Sequence, residues 1–182
     1  MAEPADRPAP VSPAEYIDAI AQHVSSVCII TTAFEGERFG LTATAVSSVS
    51  AEPPRLLVCV NKSGFTHDKI VQAGHFCVNV LTEDQDRIAM VFAGMGGADV
   101  DRFATGDWTR LTTGSPVLAQ AAAVFDCVIA STSEQSTHTV LFGEVVATRH
   151  ARGRDTLLYG ARRFRQLRKV FEAGGGEYGD YL

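Results

Sequence analysis

The sequence predicts a mainly β domain, an antiparallel barrel with a few peripheral helices. Six or more short runs rich in β-branched residues outnumber the two or three segments with helical spacing. The strands do not alternate regularly with helices, which disfavours a doubly wound parallel sheet. A length of 182 residues suits one domain. We expect the domain to span residues 13–171, between a flexible N-terminal arm at 1–12 and a flexible, Gly-rich tail at 172–182.

The first helix is predicted to begin after Ser12. Ser12 and Glu15 have the spacing of a capping box, and Pro13 suits the first helical position. A short β-branched strand follows at 27–32, and residues 34–38 have the composition of a turn.

Residues 40–54 are predicted to form one strand, which ends at the two prolines 53–54 because proline cannot donate a ladder hydrogen bond. A buried strand at 55–60 and a polar loop at 61–67 follow. Thr66 or Asp68 is the expected cap of the next helix. The remaining predicted elements are a strand at 75–81, a helix from a capping box at 82–85 to about 93, a loop at 94–107, strands at 124–131 and 138–149, and a short candidate strand at 157–159.

Composition excludes several classes of function. A net charge of −5 argues against a nucleic-acid binder, which needs a basic surface. No apolar run approaches the roughly 20 residues of a membrane helix, and the N-terminus lacks a signal pattern, so we expect a cytoplasmic protein. No metal site is expected, because the cysteines lack zinc-site spacing and lie in apolar runs, as small buried residues do: Cys28, Cys59, Cys77 and Cys127.

Small hydroxyl side chains line one face of the 40–54 strand. Side chains alternate between faces, which places on one face Thr42, Thr44, Val46, Ser48 and Ser50. Small residues allow close approach and hydroxyls add hydrogen bonds, and a flat ring with heteroatoms needs both. The alternative is an edge strand whose hydroxyls contact water.

The polar loop at 61–67 leads into a helix start. Unpaired N–H groups there attract anions, and Lys62 and the neighbouring hydroxyls add charge-assisted hydrogen bonds. The alternative is a polar connection with an ordinary cap. Together the two stretches indicate a ligand with a ring and a phosphate, such as flavin mononucleotide.

Several motifs, in the same order, resemble the flavin reductase family, the reductase components of two-component monooxygenases. The likeness covers roughly residues 16–167 and rests on these runs: GLTATAVSSVSAEPPRLLVCVNKSGFTHDKI, FCVNVL, DRF, TGSPVL, VFDCVI, HTVLFGEVVA and LLYGARRFRQL. The resemblance implies an antiparallel split β-barrel that binds FMN, and a homodimer with flavin near the subunit interface.

The resemblance also implies a set of site residues. Those expected at the flavin ring and ribityl chain are Thr42, Thr44, Ala45, Val46, Ser47 and Ser48. Those expected toward the phosphate are Asn61, Lys62, Ser63 and Thr66. His67 adjoins this loop, either as a contact or as a residue that only packs at the helix start. Tyr159 and Arg162 belong to the family's closing motif, where the arginine either contacts a nucleotide or lies in solvent.

His138 is the expected catalytic residue, placed near the nicotinamide. The family often has an aspartate before this histidine, and here Thr137 replaces it. The implied reaction is hydride transfer from NADH or NADPH to FMN or FAD, which supplies reduced flavin to a monooxygenase. Two alternatives stay open: a flavoprotein that keeps its flavin and reduces another acceptor, such as a cobalt corrinoid, and a flavin-binding module without turnover. Three arginines are candidates for a 2′-phosphate or for plain solvent contact: Arg149, Arg152 and Arg154.

Overall fold

The computed structural model describes residues 8–97 and 100–167. It confirms a mainly β architecture built from antiparallel strands. Its helices are α1 (Pro13–Ile20), α2 (Phe65–Ala73) and α3 (Asp86–Phe92), with a 3-10 turn at Arg102–Ala104. Its strands are β1 (Ser25–Ser26), β2 (Cys28–Phe34), β3 (Glu37–Ala43), β4 (Val46–Ala51), β5 (Pro54–Asn61), β6 (His75–Val80), β7 (Trp108–Arg110), β8 (Pro116–Leu118), β9 (Ala123–Gln135), β10 (His138–His150), β11 (Leu158–Gly160) and β12 (Arg163–Arg165).

The largest sheet curls back on itself. Its seven strands run in the order β3-β2-β6-β9-β10-β5-β4, so β3 and β4 are its two edges. Only Thr44 and Ala45 separate these edge strands along the chain. In a flat sheet the outer strands would lie roughly 29 Å apart, at about 4.8 Å per step. Two connecting residues span at most roughly 11 Å, so the edges must meet. The Cys59 N–H of β5 donates to the Ala45 carbonyl of this link at 3.0 Å.

The inside of the curled sheet holds one of two hydrophobic clusters. It is drawn from five strands and from Ile70 of α2, and its fully buried members include Ile30, Phe76 and Leu141. The second cluster lies on the other face of β2, where Ile29 meets α3 and the β7–β8 hairpin. Alternate residues of one strand therefore serve both clusters.

Buried polar groups attach the β7–β8 hairpin to the main sheet. The Asn79 side chain accepts from the Leu118 N–H at 2.7 Å and donates to the Ile29 carbonyl at 3.1 Å. The fully buried Asp126 carboxylate accepts from the Thr113 N–H at 2.8 Å and from the Thr113 hydroxyl at 2.5 Å. These bonds satisfy groups that would otherwise be costly to bury. They give the TGSPVL run a structural role.

The long β9–β10 hairpin turns at Ser136 and Thr137. Each strand has 13 residues, and Gln135 pairs with His138 across a two-residue connection. β10 also pairs with β5, which sets His138 opposite Asn61. The hairpin therefore delivers a histidine to the end of β5.

The capping box of the first helix is confirmed. The Ser12 hydroxyl accepts from the Glu15 N–H at 3.3 Å, and the Glu15 carboxylate accepts from the Ser12 N–H at 3.0 Å. The predicted arm is described only from residue 8, and the predicted tail at 172–182 lies outside the described residues.

The predicted starts of the other two helices are wrong. α2 begins at Phe65 behind Gly64, which has no side chain to cap it, rather than behind Thr66 or Asp68. α3 begins at Asp86, because the residues of the predicted box form a turn of their own. In that turn the Gln85 side chain accepts from the N–H of Thr82 at 2.9 Å.

The cysteines are free thiols in the structure, and three of them are buried as expected. Burial raises the pKa of the Cys28 thiol and of the Cys127 thiol to about 12. Cys59 differs from the prediction because it is only half-buried. None of the helices in the described ranges is long and apolar enough to cross a membrane.

Candidate functional site

A cleft of about 670 Å³ lies between β3, the link that follows it and β5. Its volume falls in the range of small-molecule and cofactor sites. It is lined by β3 and the connection after it (38–45), Cys59 and Asn61 of β5, the start of α2 (64–66), the end of α3 (92–93), residues 100–103 and His138.

The outer edge of β3 presents main-chain groups to this cleft. The Gly40 carbonyl points away from β2 and accepts from the Thr66 hydroxyl at 3.3 Å and from Arg102 Nη1 at 2.9 Å. Alternate residues of an antiparallel strand point their N–H and C=O groups to the same side. The backbone groups of Thr42 therefore face the cleft, at an edge where no further strand among the described residues pairs with β3.

The hydroxyl-rich stretch is two strands rather than one. The chain bends at Thr44 and Ala45 as it passes from one sheet edge to the other, which interrupts the alternation of faces. Thr42, Thr44 and Ala45 line the cleft. The Thr42 hydroxyl itself donates to the Ala89 carbonyl at 2.7 Å and so joins β3 to α3.

The residues after the bend lie on β4, outside the lining of the cleft. Val46 packs against the inner cluster, while Ser47 and Ser48 are exposed. The Ser47 hydroxyl donates to the carbonyl of Ser48 at 3.3 Å. A strand read from sequence as continuous could not show this change of direction.

The loop before α2 brings two of its predicted residues to the cleft, Asn61 and Thr66. The Asn61 side-chain oxygen accepts from the Ser63 N–H and from the Ser63 hydroxyl, both at 2.9 Å, so Ser63 is turned into the loop. Gly64 brings no side chain to the helix start. The N–H groups of Phe65 and Thr66 have no hydrogen-bond partner in the part of the chain that the structure describes. Two donors at the positive end of a helix are thus available to an anion.

Lys62 and His67 point elsewhere. Lys62 forms an ion pair with Glu134 of β9, and the Thr139 hydroxyl donates to the same carboxylate at 3.0 Å. His67 Nε2 lies 2.8 Å from the Thr139 hydroxyl, and His67 Nδ1 lies 2.8 Å from Asp68. The hydrogen bond from Lys62 is the main cause that lowers the pKa of Glu134. These residues join the loop to the β9–β10 hairpin, beside the cleft.

His138 lies in the cleft lining, half-buried, at the tip of the long hairpin. Its Nδ1 is 2.9 Å from the hydroxyl of Thr137. A hydroxyl is a neutral partner, so it orients the imidazole without adding negative charge.

Several lining residues were missed in the sequence. Arg102 donates to the carbonyls of Gly40 and Phe92, and Arg38 lies 4.6 Å from the centre of the Phe103 ring. Phe65 is 77% exposed at the mouth. Two features of the sequence point to these residues: the DRF run belongs to the resemblance, and Phe65 is an apolar residue in a polar loop. Neither feature reveals which residues they contact.

Close packing requires a glycine at position 40. A Cβ atom there would lie 2.6 Å from Cε1 of Phe92, whose ring lines the cleft. The glycine therefore lets α3 approach β3, and the cleft wall depends on it.

The closing motif lies away from this cleft. Tyr159 of β11 stacks edge-on to Phe164, with ring centres 5.6 Å apart. Arg162 donates to Asp18 of α1 at 2.6 Å. Two of the three candidate phosphate arginines are also engaged: Arg149 donates to the Leu118 carbonyl at 2.7 Å, and Arg154 lies 3.9 Å from Asp84.

Residues 20–168 match the family described as flavin reductase like domain. The chain is 44% identical over 160 residues to FMN reductase (NADH) RutF 2 of Methylorubrum extorquens, covering 88% of this chain and 92% of the relative.

Solved structures are similar as well. The NADH:FAD oxidoreductase SgcE6 of Streptomyces globisporus, in complex with NAD and FAD fragments, superposes with a TM-score of 0.80 at 30% identity, covering 90% of this chain and 99% of the other. BorF, the flavin reductase component of a bacterial two-component tryptophan halogenase, gives a TM-score of 0.79 at 26% identity, covering 87% and 99%.

Proposed function

We propose, since this chain belongs to the flavin reductase family, that its cleft binds flavin and that the protein is an NADH:flavin oxidoreductase. The observation that carries the proposal is the unpaired main chain of β3 beside the open N–H groups of α2. The main chain of β3 supplies hydrogen bonds along the edge of a ring, and the N–H groups at the start of α2 favour a phosphate. The residues present therefore fit FMN.

The flavin ring would lie along Thr42, Thr44 and Ala45, and the phosphate would lie near Asn61 and the first turn of α2. Bound flavin accepts the hydride that a reduced nicotinamide donates, and this chemistry belongs to the two cofactors. The protein positions both rings, and Arg102 and the backbone donors place positive potential beside the flavin.

His138 would position the nicotinamide. It lines the cleft at the end of the hairpin, across from Asn61, and Thr137 holds its ring. No general acid is needed for hydride transfer, so the neutral Thr137 in place of aspartate is compatible with turnover.

A larger side chain in the cleft tests whether flavin binds there. Ala45 is exposed in the lining, so Ala45→Phe should fold normally and exclude the flavin ring. We expect the loss of FMN binding and of FMN-dependent NADH oxidation, followed at the nicotinamide absorbance band. Ala151→Phe, at an exposed position in the loop before β11, is the matched control and should retain both. Unchanged FMN affinity in Ala45→Phe would place the flavin elsewhere.

We also propose that two copies form a homodimer through an apolar patch around α1. Tyr16, Ile17 and Ile20 are 47–58% exposed, and α1 buries none of its residues within one chain. Arg162 of the closing motif donates to Asp18 of α1. A dimer formed through this patch would therefore place the closing motif near the second copy. Sedimentation velocity should show a dimer that Ile17→Glu dissociates, and a parent chain that sediments as a monomer would refute this part.

The reduced flavin would pass to a separate oxygenase component. BorF is the reductase of a two-component halogenase, which supports the same arrangement here. The ion pair of Lys62 with Glu134 favours release, because it diverts a cation from the phosphate. Desalting the FMN-loaded protein should therefore remove most of the flavin, whereas flavin that stays bound would favour an enzyme with a resident cofactor.

A further inference from the structure

A second cleft adjoins the first across Arg38. It has a volume of about 430 Å³, and its other lining residues come from the β7–β8 hairpin: Trp108, Thr109, Arg110 and Pro116. Because Arg38 lines both clefts, one ligand could extend from one into the other.

Two guanidinium groups face this second cleft without a counter-charge. Arg38 and Arg110 are both exposed, and neither forms an ion pair within residues 8–97 and 100–167. The Arg38 guanidinium is held over the Phe103 ring, 4.6 Å from its centre. Two unneutralised arginines with planar donor arrays suit a ligand with phosphate groups.

The wall between these arginines is apolar and fixed. Trp108 Nε1–H donates to the Thr105 carbonyl at 2.9 Å, and its ring packs 5.3 Å from Phe92 and 5.0 Å from Phe103. Pro116 pairs with Arg110 across the hairpin and is itself buried. An indole that is half-buried and held in one orientation is a suitable surface for a flat base.

We propose that the second cleft binds the adenosine diphosphate half of a dinucleotide whose redox-active ring occupies the first cleft. The inference rests on the proposed function for the first cleft. The two arginines would bind the pyrophosphate, and the half-buried ring of Trp108 would contact the adenosine. NADH and FAD both carry this half, whereas FMN lacks it. When FMN is the flavin, the ligand of the second cleft is NADH.

Arg110→Ala tests the assignment, because Arg110 lines only the second cleft. Loss of a hydrogen bond to a charged group should raise the KM for NADH at saturating FMN at least about tenfold. The Kd for FMN should not change. ADP-ribose should compete with NADH in the parent enzyme and much less in the variant. Arg110→Lys, which keeps the charge, should lose less affinity than the alanine variant.

A second measurement distinguishes NADH from FAD as the ligand of the second cleft. A raised KM for NADH with an unchanged Kd for FAD assigns the cleft to NADH, and a raised Kd for FAD alone assigns it to FAD. Arg87→Ala, at an exposed position on α3, is the matched control. The inference is overturned if the parent enzyme is active and Arg110→Ala, correctly folded by thermal melting, matches it in both constants. An inactive parent enzyme would instead refute the proposed function and, with it, this assignment.

Discussion

At the scale of single residues, we predict that the ion pair between Lys62 and Glu134 limits the affinity for flavin phosphate. The two side chains are 35% and 65% exposed, so their attraction is modest but sufficient to hold the lysine toward β9. Glu134→Gln should free Lys62 and lower the Kd for FMN by up to about fivefold, the scale of an exposed ion pair. Fluorescence titration measures this change.

Riboflavin is the control for that variant, because it has the same ring without a phosphate. Its Kd should be the same in the parent and in Glu134→Gln. Equal tightening of both ligands would mean that Glu134 acts on the ring and not through Lys62.

His138 is predicted to act on the nicotinamide rather than on the flavin. His138→Ala should lower kcat/KM for NADH by about 10- to 100-fold, the scale of a lost positioning group, while the Kd for FMN changes little. Steady-state rates and flavin titration give the two numbers. Thr137→Val, which removes the hydroxyl beside Nδ1, should show a smaller loss of the same kind. Equal constants for His138→Ala and the parent would exclude this role.

At the scale of elements, the contact between β3 and α3 sets one wall of the cleft. Gly40→Ala would place a methyl group against the buried Phe92 ring, which must then move. Such overpacking costs about 1–3 kcal/mol in the free energy of unfolding. Denaturant unfolding measures the cost, and the Kd for FMN should rise because Phe92 lines the site.

A second substitution tests whether the clash is the cause. Phe92→Leu removes part of the ring, so it should cost less stability in the Gly40→Ala background than in the parent. Additive losses would mean that position 40 matters for its backbone alone.

The boundaries of the helices and strands show which features can be predicted from local sequence. The capping box at Ser12 depends on neighbours in the chain, and it was predicted correctly. The starts of α2 and α3 were not, because helix capping signals also stabilise turns: Gln85 caps Thr82 without opening the helix there. The break at Thr44 follows from the order of seven strands, which no local pattern contains.

Part of the cleft lining was predicted from the sequence for the same reason. Residues within one loop or strand, such as Thr42 and Asn61, could be selected by their chemistry. Arg102 and Cys59 enter through contacts between distant segments, which their own neighbours in the sequence do not reveal. Lys62 was selected for its charge, and only its contact with Glu134 shows that the charge is engaged.

At the scale of the whole molecule, stability should depend on pH through His75. Its Nδ1 lies 2.8 Å from Ser115, within the buried network of Asp126 and Thr113. Partial burial holds the pKa of His75 below its usual value, although the Asp126 carboxylate raises it. The folded state thus favours the neutral ring, and the unfolded chain takes up a proton near pH 6.5. Stability should fall as pH drops below about 6.5, because the unfolded state then binds more protons.

Thermal melts at neutral and mildly acidic pH check this dependence. His75→Asn should reduce the loss of Tm on acidification, whereas His150→Asn, at an exposed position, should leave the loss as it is in the parent. A His75→Asn variant with the parent's full pH dependence would show that other groups are responsible.

The two-residue link between the edges of the sheet has a consequence for the range of ligands. Thr44 and Ala45 connect β3 to β4, and the Ala45 carbonyl accepts from Cys59 of β5. The width of the gap between β3 and β5 is therefore set by the backbone, and a change of side-chain conformation alone does not alter it. We therefore expect the connectivity of the chain to favour thin, flat ligands. Variants with extra residues between Thr44 and Ala45 would bind bulkier heterocycles. Substitutions in the walls of the cleft would change only the affinity for a planar heterocycle.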